Sequence, residues 1–331
     1  MRAVLRVLIL AAITGLANTA GHAQAQTTWR LANEYPATSL PGEADIYFAR
    51  LVAQTTAGKL LIEPVADAKS GMKTRDQLAA VAKGEWAMAD SFAGALSEDD
   101  PLFLLSSLPF LAPTAADARR LYEAARPAYE KLYAARGQKL LYVSPWPPSG
   151  IWSAVPVTDP ESLRQLKIRT YDSTGTEIFK HVGASAQTIS FADLPARMEG
   201  GQINAVLSSG DGGAARHLWD KLKHFSEIGY AIPLSLTAVN LEAYNRLDAD
   251  TRAAVDAAAK ETSEHQWQAM RGRVEQNYAR MREQGMRIAS PAPATVTDML
   301  REAGVAALGD WQKRAGAPGQ QILEAYWRRQ R

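Results

Sequence analysis

Residues 158–170 read Thr158-Asp159-Pro160-Glu161-Ser162-Leu163-Arg164-Gln165-Leu166-Lys167-Ile168-Arg169-Thr170. A capping side chain, a proline in the first turn and then an acid make a helix start. The helix is short, ending before Lys167-Ile168-Arg169-Thr170, which reads as a strand, and Ser173–Val182 is helical again. Helix and strand in such quick alternation argue for α/β layering.

The same alternation continues on both sides. Thr28–Ala32 reads as a strand. Behind Pro41-Gly42 comes a helix whose apolar face, Ala44, Tyr47, Phe48, Leu51 and Val52, follows the i, i+3, i+4, i+7, i+8 spacing. Leu60–Val65 and Trp86–Asp90 read as strands around a Thr74–Lys83 helix, and a long helix near Ala115–Arg136 stops at Gly137. Leu140–Pro148 is a strand running into a proline-rich turn, and Gly150–Val155 is another. Gln187–Ser190 and Asn204–Leu207 read as strands, and Ser235–Asn240, alternating and uncharged, as a buried one. From a cap at Asp248 to about Gly285, Trp267, Met270, Val274, Tyr278 and Met281 recur at spacings of three and four. At 1.5 Å per residue that helix reaches about 54 Å, more than one small lobe needs, so it is expected to span two.

The first residues are of a different kind. Arg2 and Arg6 flank the start of an apolar run, Val7 to Leu16, and small residues lead to Ala23-Gln24-Ala25. This is the pattern of a cleavable secretory signal over residues 1–25; the run is too short for a bilayer, which takes about 20 residues. A periplasmic protein is therefore expected. Without Arg2 and Arg6 the basic residues equal the 35 acids, and the absence of a basic excess speaks against nucleic-acid binding. There is no cysteine, hence no disulfide framework or thiolate metal site. About 306 mature residues suit two lobes better than one core. The first lobe is assigned 26–149 plus 235–275, and the second 150–234 plus 276–331.

A secreted hydrolase is the competing class. The nucleophile elbow G-x-S-x-G is missing; Gly183-Ala184-Ser185-Ala186-Gln187 lacks its last glycine. No H-E-x-x-H, P-loop or G-x-G-x-x-G occurs. His217 and His224 lie seven apart among charged residues with no third ligand nearby, so no metal site, cofactor or enzyme activity is expected.

Four segments resemble the solute receptors of TRAP transporters (tripartite ATP-independent periplasmic), the DctP family. Thr55-Thr56-Ala57-Gly58-Lys59 is similar to that family's Thr-Gly-Gly turn, and Leu108-Pro109-Phe110-Leu111 to its lPFLf segment. Asp159 to Arg169 resembles tPeDLkGlKiR. Phe191-Ala192-Asp193-Leu194 followed by Gly200-Gly201-Gln202-Ile203-Asn204-Ala205 resembles fsElytALqtGvvDg. Their order and spacing match over about residues 28–315. The resemblance implies a two-lobed, periplasmic-binding-protein-like fold with crossover strands, a hinged cleft and a long helix across its back. It also implies a monomeric receptor without catalysis, delivering an organic carboxylate to small and large membrane subunits. The arginine closing the KiR strand, here Arg169, would grip that carboxylate. A planar guanidinium makes two parallel charge-assisted bonds to a carboxylate, which lysine cannot imitate. The bland alternative is a structural pair between Arg169 and Asp172.

The sequence departs from the family where an asparagine amide usually follows vvDg; here Val206-Leu207-Ser208-Ser209 precede Gly210-Asp211-Gly212-Gly213. Ser208 and Ser209 either donate to the ligand or cap the next helix. Trp152 stands where sugar-acid receptors of the family often carry a second arginine. With Trp146 and Phe191 it points to a monocarboxylate with an apolar or ring-bearing body. Glu34, Ser91 and Asn240 complete the candidate binding residues, at strand ends expected to face the cleft. An ABC-type receptor and a ligand-free interaction module are the remaining alternatives.

Overall fold

Hydrogen-bonded caps set most of the helix starts that the sequence announces. A computed structural model describes residues 26–328, so the expected leader lies outside the described residues. The first lobe begins with β1 (Thr27–Asn33), α1 (Leu40–Thr55), β2 (Leu60–Val65), α2 (Thr74–Ala82), β3 (Met88–Phe92), α3 (Ala115–Ala134) and β4 (Gln138–Pro145). The second follows with β5 (Ser149–Ser153), α4 (Pro160–Arg164), β6 (Lys167–Thr170), α5 (Ser173–His181) and β7 (Ser185–Thr188). Then come α6 (Leu194–Glu199), β8 (Ala205–Ser209), α7 (Gly210–Ala215) and β9 (His224–Ser226). The chain ends with β10 (Leu234–Asn240), α8 (Leu241–Asn245), α9 (Ala249–Glu283), β11 (Arg287–Ala289) and α10 (Ala294–Arg328). Side chains of Ser39, Thr114, Asp159, Asp172, Ser209, Asn240 and Asp248 each accept a first-turn N–H, satisfying donors the helix cannot.

Two sheets result, in the orders β2-β1-β3-β10-β4 and β11-β9-β5-β8-β6-β7. Helices cover both, as mostly parallel sheets require. In the first lobe, Phe48, Tyr142 and Val255 pack on one side of the sheet; Leu105, Tyr129 and Leu236 pack on the other. The second lobe's core is built on Ile168, Phe179, Val206 and Phe225. It also takes in Tyr35, Phe92 and Trp146 from the first lobe, so the lobes meet through aromatic rings.

The lobes are joined in four places among the described residues. Segments 146–149 and 230–233 run side by side, with Trp146 N–H donating to Pro233 O (2.8 Å) and Ser149 N–H to Ala231 O (2.9 Å). Helix α9 is the long helix expected across the back. Its Trp267 and Met270 lie in the first lobe's core, Tyr278 and Met281 in the second's. Here Asp211 accepts from Leu40 N–H (2.7 Å), pairs with Arg273 Nε (2.9 Å), and Arg273 reaches Glu43 (2.6 Å), tying α1 and α7 to α9. The fourth crossing is made by α10. In α10, Val296, Leu300 and Ala303 pack in the second lobe, but Trp311, Ile322 and Tyr326 pack in the first. Trp311 Nε1 donates to Pro101 O (2.7 Å), so the end of α10 packs on first-lobe residues. The Leu108–Leu111 segment braces this arrangement: Phe110 N–H donates to Tyr230 O (2.7 Å), and Gly304 of α10 leaves room for Pro109.

Candidate functional site

Arg169 is the penultimate residue of β6, with its side chain in the cleft, and only 2% of the residue is exposed. Its Nε donates to Ile189 O (2.7 Å) and its Nη1 to Leu207 O (3.3 Å). Both acceptors are neutral, and no carboxylate lies within ion-pairing distance among the described residues. Asp172 is spent otherwise: it caps α5 through Gly175 N–H (2.7 Å), so the alternative Arg169–Asp172 pair does not form. Burial draws the Arg169 pKa below the ordinary arginine value, opposed by Tyr35 and Glu34. Arginine nevertheless stays charged in proteins, so a cation is held in the dry interior beside two carbonyl oxygens and the Tyr35 side chain, with no carboxylate paired to it.

Aromatic rings wall this cation in. Phe191 lies with its ring centre 5.7 Å from the Arg169 guanidinium. Tyr35 packs on Phe191 (4.5 Å) and Trp146 (4.7 Å), and Phe92 on Tyr171 (5.0 Å). These residues, with Ser208, enclose a gap of about 20 Å³. A larger cavity of about 240 Å³ shares Tyr35, Arg169, Tyr171 and Phe191 with it and extends past Glu34, Lys73 and Asp172. The arrangement suits a small anion with an apolar body.

The structure brings some of the expected residues here and sends others elsewhere. Arg169, Trp146, Phe191, Ser208 and Ser209 border the gap. Ser209 Oγ caps α7 through Gly212 N–H (3.0 Å), and both serines border the gap. Glu34 lines the larger cavity, but protein donors occupy both its oxygens. One accepts from Thr74 N–H and Oγ1 (2.7 Å each), the other from Ala192 N–H (2.8 Å) across the cleft. Three others stand away from both the gap and the larger cavity. Trp152 is fully buried beneath α7, over Gly213 and edge-on to Phe225, with Nε1 donating to Ser209 O (3.1 Å). Ser91 turns toward α2 and donates to Gln77 (2.8 Å). Asn240 sits at the far end of β10, caps α8 and donates to Val81 O (2.9 Å).

Tyr35, Phe92 and Tyr171 were missed. Strand β3 runs two residues later than the sequence reading, and side chains alternate between faces, so Phe92 takes the cleft-facing place expected of Ser91. Tyr35 follows the singled-out Glu34 directly and precedes Pro36; an aromatic at a strand end beside a candidate acid was the available signal.

Asp172 lies between the lobes, against Gly94 and Ser107 of the first. Burial pushes its carboxyl up to about 7, against the Gly175 N–H, Ser107 and Arg169, which act downward. Unfolded aspartate titrates near 3.9. Between those values the native form keeps a proton that the unfolded chain releases, so this contribution to stability falls as pH rises from about 4 to about 7 and then levels. Buried Asp45 and Asp90 act in the same direction, whereas His224, lowered by burial, acts oppositely. The slope due to Asp172 is isolated by comparison: melting temperatures at pH 5 and pH 8 are expected to converge in Asp172→Asn relative to the unmodified protein. Equal pH dependence in both would refute the assignment.

Comparison with known proteins agrees with this architecture. The family model described as bacterial extracellular solute-binding protein, family 7 (DctP) matches residues 31–306. Two extracytoplasmic solute receptors of Bordetella pertussis that bind pyroglutamic acid, DctP7 and DctP6, are each 30% identical with a TM-score of 0.87. Each alignment covers 91% of this chain, and 99% and 100% of theirs. A marine metagenome TRAP solute-binding protein specific for pyroglutamate is 28% identical, with a TM-score of 0.86 over 92% of this chain and all of that one. No curated protein matched in sequence. No described helix is long and apolar enough to cross a membrane. With the matched model spanning both lobes and the cleft between them, the chain belongs to family 7 of the bacterial extracellular solute-binding proteins, the DctP receptors of TRAP transport.

Proposed function

We propose that this receptor captures a small, ring-bearing monocarboxylate, pyroglutamate or a close analogue, and delivers it as a monomer to TRAP membrane subunits. The observation that carries the reading is Arg169: a buried guanidinium bonded to two carbonyls, facing a gap walled by Tyr35, Trp146 and Phe191. One carboxylate supplies the counter-charge and a forked pair of bonds. Among the described residues no second arginine lines the gap itself, Arg75 and Lys73 lying out in the larger cavity, and the aromatic faces favour a flat or apolar body over a hydroxyl-rich one. The pyroglutamate ligands of the receptors about 30% identical support the same class.

The test is a thermal-shift and calorimetric series across pyroglutamate, succinate, malate and galacturonate. A ligand at 100 times its dissociation constant adds about 2.7 kcal/mol of stability. Pyroglutamate is expected to raise the melting temperature, and the dicarboxylates and sugar acid to leave it in place. Selective binding of succinate or galacturonate would overturn the reading.

A further inference from the structure

The mouth of the cleft carries three contacts between lobes. Lys73 pairs with Asp193 (2.7 Å), Glu34 accepts from Ala192 N–H (2.8 Å), and Arg216 pairs with Asp67 (2.6 Å). They are not equivalent. Lys73 and Asp193 are each 36% exposed, and an ion pair that open to water is worth little. Asp67 is as open to water, at 40%, but the Arg216 side chain is only 17% exposed and its guanidinium also lies over the Phe191 ring, 4.8 Å from the centre. Its Nε is buried without a partner, so the ion pair and the ring hold the group in place.

Both of its contacts lead into the ligand site. Phe191 is the ring that Arg169 and Tyr35 touch. Asp67 N–H donates to Tyr35 O (2.8 Å), so the turn that Arg216 grips holds the backbone of the aromatic residue opposite. Arg216, at the end of α7, therefore touches the first lobe's rim and the second lobe's aromatic wall at once. We infer that Arg216 is the clasp of this receptor: by joining Asp67 to the face of Phe191 it holds the lobes together over the ligand and sets how slowly the ligand leaves. This deepens the proposed function and rests on the cleft being the ligand site. A planar cation fits the role, since guanidinium stacks on a ring and forks to a carboxylate together, which an ammonium does not. Arg216 borders neither the gap nor the larger cavity, so it acts through Phe191 and Asp67 and is a positioning residue.

Two measurements test the clasp. The chain has no cysteine, so exposed Ala79 and Ala196, on α2 and α6, can be changed to cysteine for spin labels either side of the mouth. Without any ligand, Arg216→Ala and Asp67→Asn are each expected to shift the label distances outward, and the double variant to go no further than either one. Asp67 has φ +61°, which asparagine tolerates, so Asp67→Asn keeps the turn and guards against misfolding of the arginine variant. In stopped flow with pyroglutamate, Arg216→Ala is expected to raise the release rate about tenfold with association little changed, since affinity differences among variants lie mostly in release. Arg216→Lys, which keeps the charge but not the stacking, is expected to fall between. Unchanged distances in both single variants, or additive shifts in the double variant, would overturn the clasp. If the unmodified receptor fails to bind pyroglutamate, the ligand assignment falls and the label distances still decide the clasp.

Discussion

Arg169→Ala is expected to leave a folded receptor that scarcely holds a carboxylate. The loss has two sources. The variant removes the charge that the ligand pairs with, and it leaves an anion to be desolvated against aromatic rings with no compensation. Truncating one partner of a buried, hydrogen-bonded charge pair costs about 2–5 kcal/mol, or roughly thirtyfold to several thousandfold in affinity. Arg169→Lys is the sharper version. It keeps the positive charge but cannot donate to Ile189 O and Leu207 O while presenting a fork to the ligand, so it is expected to lose most of the same affinity. Calorimetry measures the affinity, and circular dichroism confirms the fold. Undiminished affinity in either variant would show that the carboxylate is held elsewhere.

Gly94→Val is expected to hinder closure of the lobes, at some cost to the packing of the first lobe around Gly94. A Cβ at Gly94 meets Ser107 Oγ at 2.7 Å, Asp172 Oδ2 at 2.9 Å and the Phe92 ring at 2.9 Å, all closer than carbon tolerates. Ser107 and Phe92 belong to the same lobe as Gly94, whereas Asp172 belongs to the other, so opening the cleft relieves part of the overlap. The backbone of Gly94 is not in the left-handed region, so valine adds bulk without backbone strain there. Overpacking of this kind costs about 1–3 kcal/mol. The part of that cost relieved by opening opposes closure and weakens ligand binding by at most roughly a hundredfold, since a ligand shifts the lobes only by its preference for the closed form. Small-angle scattering is expected to give a larger radius of gyration for the variant at saturating ligand. A variant that closes and binds normally would show that Gly94 is not the point where the lobes seat.

The sequence made the layering legible, because caps and turns are local. The Asp159 cap, the short helix and the Lys167–Thr170 strand were readable from a dozen residues, as was α9 from its apolar repeat. Helix α10 was not, because Gly304, Gly309, Gly316 and Pro318 interrupt its pattern, and Gly316 does leave helical geometry (φ +58°, ψ −145°). Of the site, Arg169 was legible through its motif. The aromatic wall was legible only in part, since which face a strand residue takes depends on register, and register is set by partners distant in sequence. Trp152 shows the limit. Its place in the chain suggested the ligand, but the bare Gly213 of α7 lets the indole fill the space beneath that helix.

The four crossings have a consequence for how the chain comes to be folded. Trp311 and Tyr326, near the end of the described residues, pack into the lobe whose first strand starts at Thr27. That lobe lacks part of its interior until Trp311 and Tyr326 have been made, so synthesis cannot deliver it finished ahead of its neighbour. Completion of the first lobe therefore waits on residues that follow those of the second lobe's core. The same interlacing narrows the repertoire of the finished molecule. Bodies joined by one tether can roll and twist freely; bodies sewn together at four points retain little more than a single swing. With few open arrangements to surrender, the arrival of a ligand sacrifices little configurational freedom, and more of its contact energy remains as affinity.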